Sequence, residues 1–257
     1  MECVTTPGIN IFPSGSLMLS QTMYSCSWRA LAPSIDLIAP DIYNSDPDFV
    51  RDVVRAYKRS DNPLLIPEIG RSDNFAKYLF YALGEGAIGF SPFGVDQSGW
   101  NILGDEPAKA HAKNFALIAP MSSEIARLNF EGKLKTSVEE AGQPQQELDF
   151  GTWQATIGYG YPQRDGRHPP KTNGAHNAAL IAQIGPDEFL VTGVDASVSF
   201  HLPKHLPKLR MQILAAQEGS YQNGTWTPKK LWNGDETDRG LQFHQEPAVV
   251  KVRLGRF

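Results

Sequence analysis

The sequence lacks the features that mark several classes of protein. It contains only two cysteines, Cys3 and Cys26, at no metal-ligand spacing, although a disulfide between them stays an alternative. No apolar run approaches the roughly 20 residues that cross a bilayer, and no signal peptide is visible after Met1. No cluster of Lys and Arg offers a phosphate-binding patch, and the net charge is −4. We therefore expect neither nucleic acid nor a membrane as partner, and the cellular location stays open.

Histidine spacing also argues against a metal site. The six histidines show no HExxH pattern. His201 and His205 are four residues apart, but the prolines at positions 203 and 207 argue against a helix that would align them. We expect no metal and no cofactor.

The first part of the sequence alternates strand and helix signals. The apolar runs 35–43, 63–70 and 86–94 predict strands. Asp46 with Pro47 predicts the start of a helix, and a longer helix is expected over 106–129, divided at Pro120. The order β-α-β-α-β-α predicts a parallel sheet.

After about residue 130 the pattern changes to short apolar runs separated by turn signals. The segment 185–188 predicts a hairpin loop, and Asn223-Gly224 is the strongest hairpin signal in the sequence. Residues 248–254 predict a final strand. We interpret this part as an antiparallel β-sandwich. The expected organisation is an irregular segment 1–28, an α/β domain 29–130 and an all-β domain 131–257.

Three β/α units are too few to close a barrel, because a (β/α)₈ TIM barrel takes about 250 residues. The first 28 residues are rich in Pro, Gly, Ser and Thr and have no clear period. The expectation is that the chain is the C-terminal part of a longer enzyme.

Glu68 is the most informative residue, because it closes the apolar run that begins at Pro63. The C-terminal ends of parallel strands are where β/α barrels place their chemistry. From the residues alone, Glu68 is either catalytic or a structural carboxylate at the end of a strand.

Several segments in sequence order are similar to bacterial β-galactosidases of glycoside hydrolase family 35 that carry a C-terminal β-domain of unassigned function. These segments are 28–43, 62–70, 86–96, 185–193, 224–226 and 231–237. The resemblance extends from near Trp28 to the end of the sequence. It implies that the three parallel strands are the sixth, seventh and eighth of a TIM barrel.

The resemblance also implies roles for particular residues. Glu68 matches the nucleophile of a retaining glycosidase, and Tyr43 could hydrogen-bond to it. Asp41 and Tyr43 could face the same pocket, while Phe93 and Trp100, together with Phe90, could form an aromatic platform for a sugar. The alternatives are a Tyr43 packed under a loop, a buried structural Asp41 and a Trp100 that anchors a loop. The implied partner is a β-galactoside or a plant-type oligosaccharide.

The sequence departs from the family at the general acid/base. That glutamate belongs on the fourth barrel strand, and no such strand is predicted here. General acid/base catalysis contributes on the order of 10²–10⁴-fold, so we expect little activity from the chain alone. A partner that supplies the N-terminal portion of the barrel would change this expectation.

Two other functions remain open at this point. The chain could be a non-catalytic carbohydrate-binding or scaffolding protein. Its sandwich would then use aromatic residues, namely Trp153, Tyr159, Tyr161, Trp226 and Trp232. It could also belong to another hydrolase of the same barrel clan, acting on β-glucosides or arabinosides.

Overall fold

The part of the chain that the structure describes contains three sheets. The structure is a computed structural model that describes residues 31–95, 108–140, 143, 145–160, 176–205, 209–243 and 247–257. The predicted irregular segment 1–28 and Trp100 lie outside these residues. The helices are α1 (Pro47–Tyr57), α2 (Tyr78–Gly84), α3 (Lys109–Ile118), α4 (Ser122–Phe130) and α5 (Gly234–Thr237). The strands are β1 (Asp41–Ile42), β2 (Leu65–Ile69), β3 (Gly89–Pro92), β4 (Leu134–Val138), β5 (Gln145–Asp149), β6 (Gln154–Tyr159), β7 (Ala178–Gly185), β8 (Glu188–Val194), β9 (Ala196–His201), β10 (Met211–Gln222), β11 (Thr225–Leu231), β12 (Leu241–Phe243) and β13 (Val249–Arg256).

The predicted parallel sheet is present, in the order β1-β2-β3. Helices α1 and α2 cover one of its faces with an apolar core that includes Ile42, Val50, Ile66 and Tyr78. Helix α1 begins as predicted, because the side chain of Asp46 accepts a hydrogen bond from the backbone N–H of Phe49 at 3.0 Å. Within the described residues the sheet stays open and closes no barrel.

Strand β1 is shorter than the predicted run 35–43, and the side chain of Asn62 explains the difference. Its Oδ1 accepts from the backbone N–H of Ile38 at 2.9 Å, and its Nδ2 donates to the carbonyl of Ile38 at 2.9 Å. The backbone of Ile38 is therefore satisfied by a side chain instead of a neighbouring strand. Pro40 has no N–H to offer to a ladder.

The predicted long helix is divided at Pro120, as expected. Helix α3 ends at Ile118, a 3₁₀ turn covers Ala119–Met121, and α4 begins at Ser122. Among the described residues no helix is both long enough and apolar enough to cross a membrane.

The second part contains two antiparallel sheets. A six-stranded sheet has the order β11-β10-β13-β8-β7-β4, and a four-stranded sheet has the order β12-β9-β6-β5. Both predicted hairpins are confirmed. β7 and β8 join at 186–187, and β10 and β11 join at Asn223-Gly224, both of which have positive φ angles.

The two antiparallel sheets pack face to face in a sandwich-like arrangement. Trp153, Ile157, Phe189 and Val198 are among the buried residues between them. The opposite face of the six-stranded sheet packs against α2, α3 and α4 through a second core that contains Phe80, Met121, Leu128 and Leu180. The run 178–182 is buried without interruption because β7 is covered on both faces.

Candidate active site

The parallel sheet brings Glu68 and Asp41 into register. The Cα of Asp41 on β1 is paired with the Cα of Glu68 on β2, and Ile42 is paired with Ile69. The backbone N–H of Gly70 then donates to the carbonyl of Ile42 at 2.9 Å. Ile42 and Ile69 are both fully buried in the core under α1, so their packing fixes the position of the two carboxylates.

Tyr43 contacts Glu68 directly, as the sequence predicted. The Tyr43 hydroxyl donates a hydrogen bond to Oε1 of Glu68 at 2.5 Å. Burial raises the pKa of Tyr43 to about 12, with further contributions from this hydrogen bond and from the charges of Glu68 and Asp41. The hydroxyl is therefore protonated at neutral pH and acts as a donor.

Asp41 lies on the same side as Tyr43, since the intervening Ile42 points into the core. Partial loss of hydration raises the pKa of Asp41, and the neighbouring charge of Glu68 raises it further. The side chain is exposed to solvent, so Asp41 is not the buried structural aspartate of the alternative interpretation.

Of the predicted aromatic platform, the structure brings Phe93 to the site. Its ring meets the ring of Tyr43 edge-on, with the centroids 6.4 Å apart and the planes at 67°. Both rings are about half exposed, at 48% for Phe93 and 56% for Tyr43. Their accessible surfaces are available for contact with a ligand.

The expectation for Phe90 was wrong. Phe90 packs against the helix side, where its ring lies 6.4 Å from the ring of Phe115 and 6.3 Å from that of His111. The structure therefore assigns Phe90 to the core. Trp100 lies outside the described residues, and its predicted role stays a prediction.

Asn62 supports the site, a role that we did not predict from the sequence. It is 6% exposed, and besides Ile38 its Nδ2 also bonds the carbonyl of Tyr57 at 2.9 Å. These bonds tie the segment before β1 to the end of α1, just ahead of β2. In the sequence, the feature that could have indicated this role is a polar residue directly before an apolar strand run.

Gly70 is a second supporting residue. A Cβ atom at this position would lie 2.3 Å from the ring of Phe75, closer than real side chains approach. The glycine lets the chain pass the ring two residues after Glu68, so a larger residue would displace the end of β2.

His111 was considered in the sequence only as a metal ligand, and the structure places it behind the site. It is 1% exposed in the first turn of α3, and among the described residues neither ring nitrogen has a hydrogen-bond partner within ordinary distance and angle. Burial lowers the pKa of His111, against smaller opposing contributions from the backbone of Ser72 and Gly70 and from Asp73. The ring is therefore a neutral packing group.

Among the described residues, the aromatic side chains proposed for a sugar-binding sandwich do not form an exposed face. Trp153 and Tyr159 are buried in the core between the sheets. Trp226 and Trp232 are partly buried, and their Nε1 atoms donate to Gln217 at 2.8 Å and to Glu218 at 2.9 Å. Tyr161 lies outside the described residues. In the part of the chain that is described, no group of three His, Cys, Asp or Glu side chains could hold a metal ion.

The comparison with family models finds a match, which covers α3, α4 and most of the antiparallel strands. The model of a domain of unknown function, DUF5597, matches residues 111–244, which is more than half of the chain. The chain belongs to this DUF5597 family. The matched segment runs from the start of α3 through β12, so Asp41, Tyr43, Glu68, Phe93 and Trp100 all precede it. No curated protein matches the chain.

Proposed function

We propose that this chain carries the nucleophile half of a retaining glycoside hydrolase of the β-galactosidase type, with Glu68 as the nucleophile. The observation that carries the proposal is the 2.5 Å hydrogen bond from Tyr43 to Glu68 at the ends of neighbouring parallel strands. A neutral donor of this kind holds a carboxylate in a fixed orientation. The galactoside is taken from the resemblance to family 35, as is the proposal that β1, β2 and β3 are the last three strands of a TIM barrel.

The chemistry would proceed by double displacement. With Oε1 held by Tyr43, Oε2 of Glu68 attacks the anomeric carbon, and the bond from that carbon to the leaving oxygen breaks with its electron pair. A general acid protonates the leaving oxygen. Water, deprotonated by the same group, then attacks the anomeric carbon, and the bond to Glu68 breaks to release the sugar with its configuration retained.

Asp41 and Phe93 would bind substrate in this scheme. Asp41 lies across from Glu68 in register and, as an exposed carboxyl group, can hydrogen-bond to a sugar hydroxyl. Phe93, edge-on to Tyr43, offers an apolar surface for the C–H face of the ring. The general acid/base lies on a barrel strand that the described residues do not include, so the proposal keeps the expectation of little activity on unactivated galactosides.

An activated substrate tests the nucleophile without the general acid. Dinitrophenolate is a weak base that leaves without protonation. From a dinitrophenyl β-galactoside the chain should therefore release a burst of about one equivalent of dinitrophenolate per chain, after which release should stop. Glu68→Gln should abolish this burst, with a loss of rate on the order of 10⁴-fold or more.

Glu85→Gln is the matched control, because Glu85 is an ion-pair partner of Lys58 at 2.8 Å beyond the far end of α2. This variant should keep the full burst. A burst of unchanged size in Glu68→Gln, or no burst in the unmodified chain, would overturn the proposal.

A further inference from the structure

A cleft of about 290 Å³ lies between the helices and the six-stranded sheet, apart from the Glu68 site. One wall is α3 with the 3₁₀ turn, and the other is formed by β10, β11 and the start of β13. Its apolar lining includes Leu117, Met121 and Val249. The volume is at the lower end of the range of ligand pockets, roughly 300–1,000 Å³, so the cleft suits a small ligand.

A β-bulge shapes the sheet wall of this cleft. Glu218 pairs with Lys230 and Gly219 pairs with Pro228, which leaves Lys229 as the extra residue of β11. A Cβ atom at Gly219 would lie 2.5 Å from the carbonyl oxygen of Thr227, so glycine is required for this close approach. Bulges turn side chains away from the regular strand alternation, and Lys229 is among the residues that line the cleft.

Two lysines on different elements bring positive charge to the cleft. Lys113 on α3 and Lys229 on β11 both line it and are both exposed. Within the described ranges neither lysine forms an ion pair. Glu218 also lines the cleft, but its carboxylate is engaged, since it accepts from Nε1 of Trp232 at 2.9 Å and lies 3.8 Å from Lys230.

Two hydroxyl groups line the same cleft. Neither the hydroxyl of Ser220 nor that of Tyr221 makes a hydrogen bond to another described residue, although both side chains are partly buried. Burial raises the pKa of Tyr221, so its hydroxyl stays a donor at neutral pH. The ring of Tyr221 is held by the ring of Trp226, with the centroids 5.5 Å apart.

We infer that this cleft is a binding site for a small cyclic ligand that carries one carboxylate and several hydroxyl groups, such as a hexuronate sugar. Lys113 and Lys229 would pair with the carboxylate from the two walls, and Ser220 and Tyr221 would bond the hydroxyls. Leu117 and Met121 would face the C–H surface of the ring. Nearly all of these residues lie in the segment matched by the DUF5597 model, and the site does not depend on the role of Glu68.

Titration of the full chain with D-glucuronate tests the inference, with D-glucose and acetate as comparison ligands. Backbone amide chemical shifts report the place of binding, and calorimetry reports the affinity. We expect saturable shifts at Gly219, Ser220 and Tyr221 with glucuronate, and binding at least tenfold weaker for glucose and for acetate. Because the lysines are exposed, higher salt should weaken the binding.

The double variant Lys113→Gln/Lys229→Gln should weaken glucuronate binding at least tenfold. Lys58→Gln/Lys204→Gln removes the same charge from other exposed sites and should leave the affinity unchanged. Tyr221→Phe, which removes one hydroxyl and keeps the packing, should weaken binding several-fold. The inference is overturned if no saturable shift occurs at 219–221, if acetate or glucose binds as well as glucuronate, or if the two double variants behave alike.

Discussion

The parallel sheet and the six-stranded sheet of this chain are covered very differently. The six-stranded sheet has one core against the four-stranded sheet and a second core against the helices. Among the described residues the parallel sheet has a core on one face only, and its other side exposes Asp41, Tyr43 and Pro67. We infer that the sandwich supplies most of the stability, whereas the parallel sheet uses its open side to present reactive groups.

Buried polar contacts join the two regions. Nδ2 of Asn114 on α3 donates to the carbonyl of Ala76 at 2.9 Å, and Nζ of Lys77 donates to the carbonyl of Glu139 at 3.0 Å. Both side chains are nearly inaccessible to solvent, where an unmade hydrogen bond is costly. The candidate site is therefore fixed to the sandwich, which explains how a thinly covered sheet can hold Glu68 in place.

A matched pair of substitutions gives the largest expected difference in stability. Phe189→Ala removes a fully buried ring from the sandwich core and should lower the free energy of unfolding by about 3–5 kcal/mol. Phe93→Ala removes a half-exposed ring and should lower it by about 0.5 kcal/mol or less. Urea unfolding of both variants measures the difference. Similar losses of unfolding free energy would contradict the inference that the sandwich supplies most of the stability.

The hydroxyl of Tyr43 should matter for activity and little for stability. Hydrogen bonds to charged groups contribute about 1.5–3 kcal/mol, so Tyr43→Phe should slow the dinitrophenolate burst by roughly 10–100-fold. Tyr81→Phe removes a hydroxyl from α2, away from Glu68, and should leave the burst rate unchanged. Equal rates in the two variants would show that the Tyr43 hydroxyl does not assist Glu68.

His111 makes a smaller, pH-dependent contribution where α3 meets both regions. Its pKa is lowered from the ordinary value of 6.5, so the unfolded chain binds the proton more readily than the folded one. Stability should therefore be full above about pH 6.5 and fall as the pH drops below it, by at most about 1.4 kcal/mol per pH unit.

The pH dependence of the free energy of unfolding tests the contribution of His111. This comparison holds even if a variant differs in absolute stability. His111→Phe keeps a ring beside Phe90 and removes the titrating group, so it should flatten the loss of stability between pH 6.5 and pH 5. His201→Gln, which changes an exposed histidine beside Glu147, should leave most of that loss in place. An unchanged pH dependence in His111→Phe would show that His111 does not cause the loss of stability at low pH.

Local signals in the sequence predicted much of the fold. Asp46-Pro47, Pro120 and Asn223-Gly224 act through their own backbone preferences, and the structure confirms all three. The contact of Tyr43 with Glu68 was implied by the resemblance to family 35, and the structure shows it. The roles of Asn62, Gly70 and His111 depend on residues distant in sequence, and so does the packing of Phe90 away from the site. No local pattern contains that information.

The most direct test of the central claim is to trap the proposed intermediate on Glu68. A dinitrophenyl 2-deoxy-2-fluoro-β-galactoside retains a good leaving group, while its fluorine slows hydrolysis of the glycosyl-enzyme ester. After incubation with the chain, peptide mass mapping should find the fluorosugar esterified to Glu68, and no ester should form in Glu68→Gln. An ester on another residue, or no ester under conditions that consume the reagent, would contradict the account.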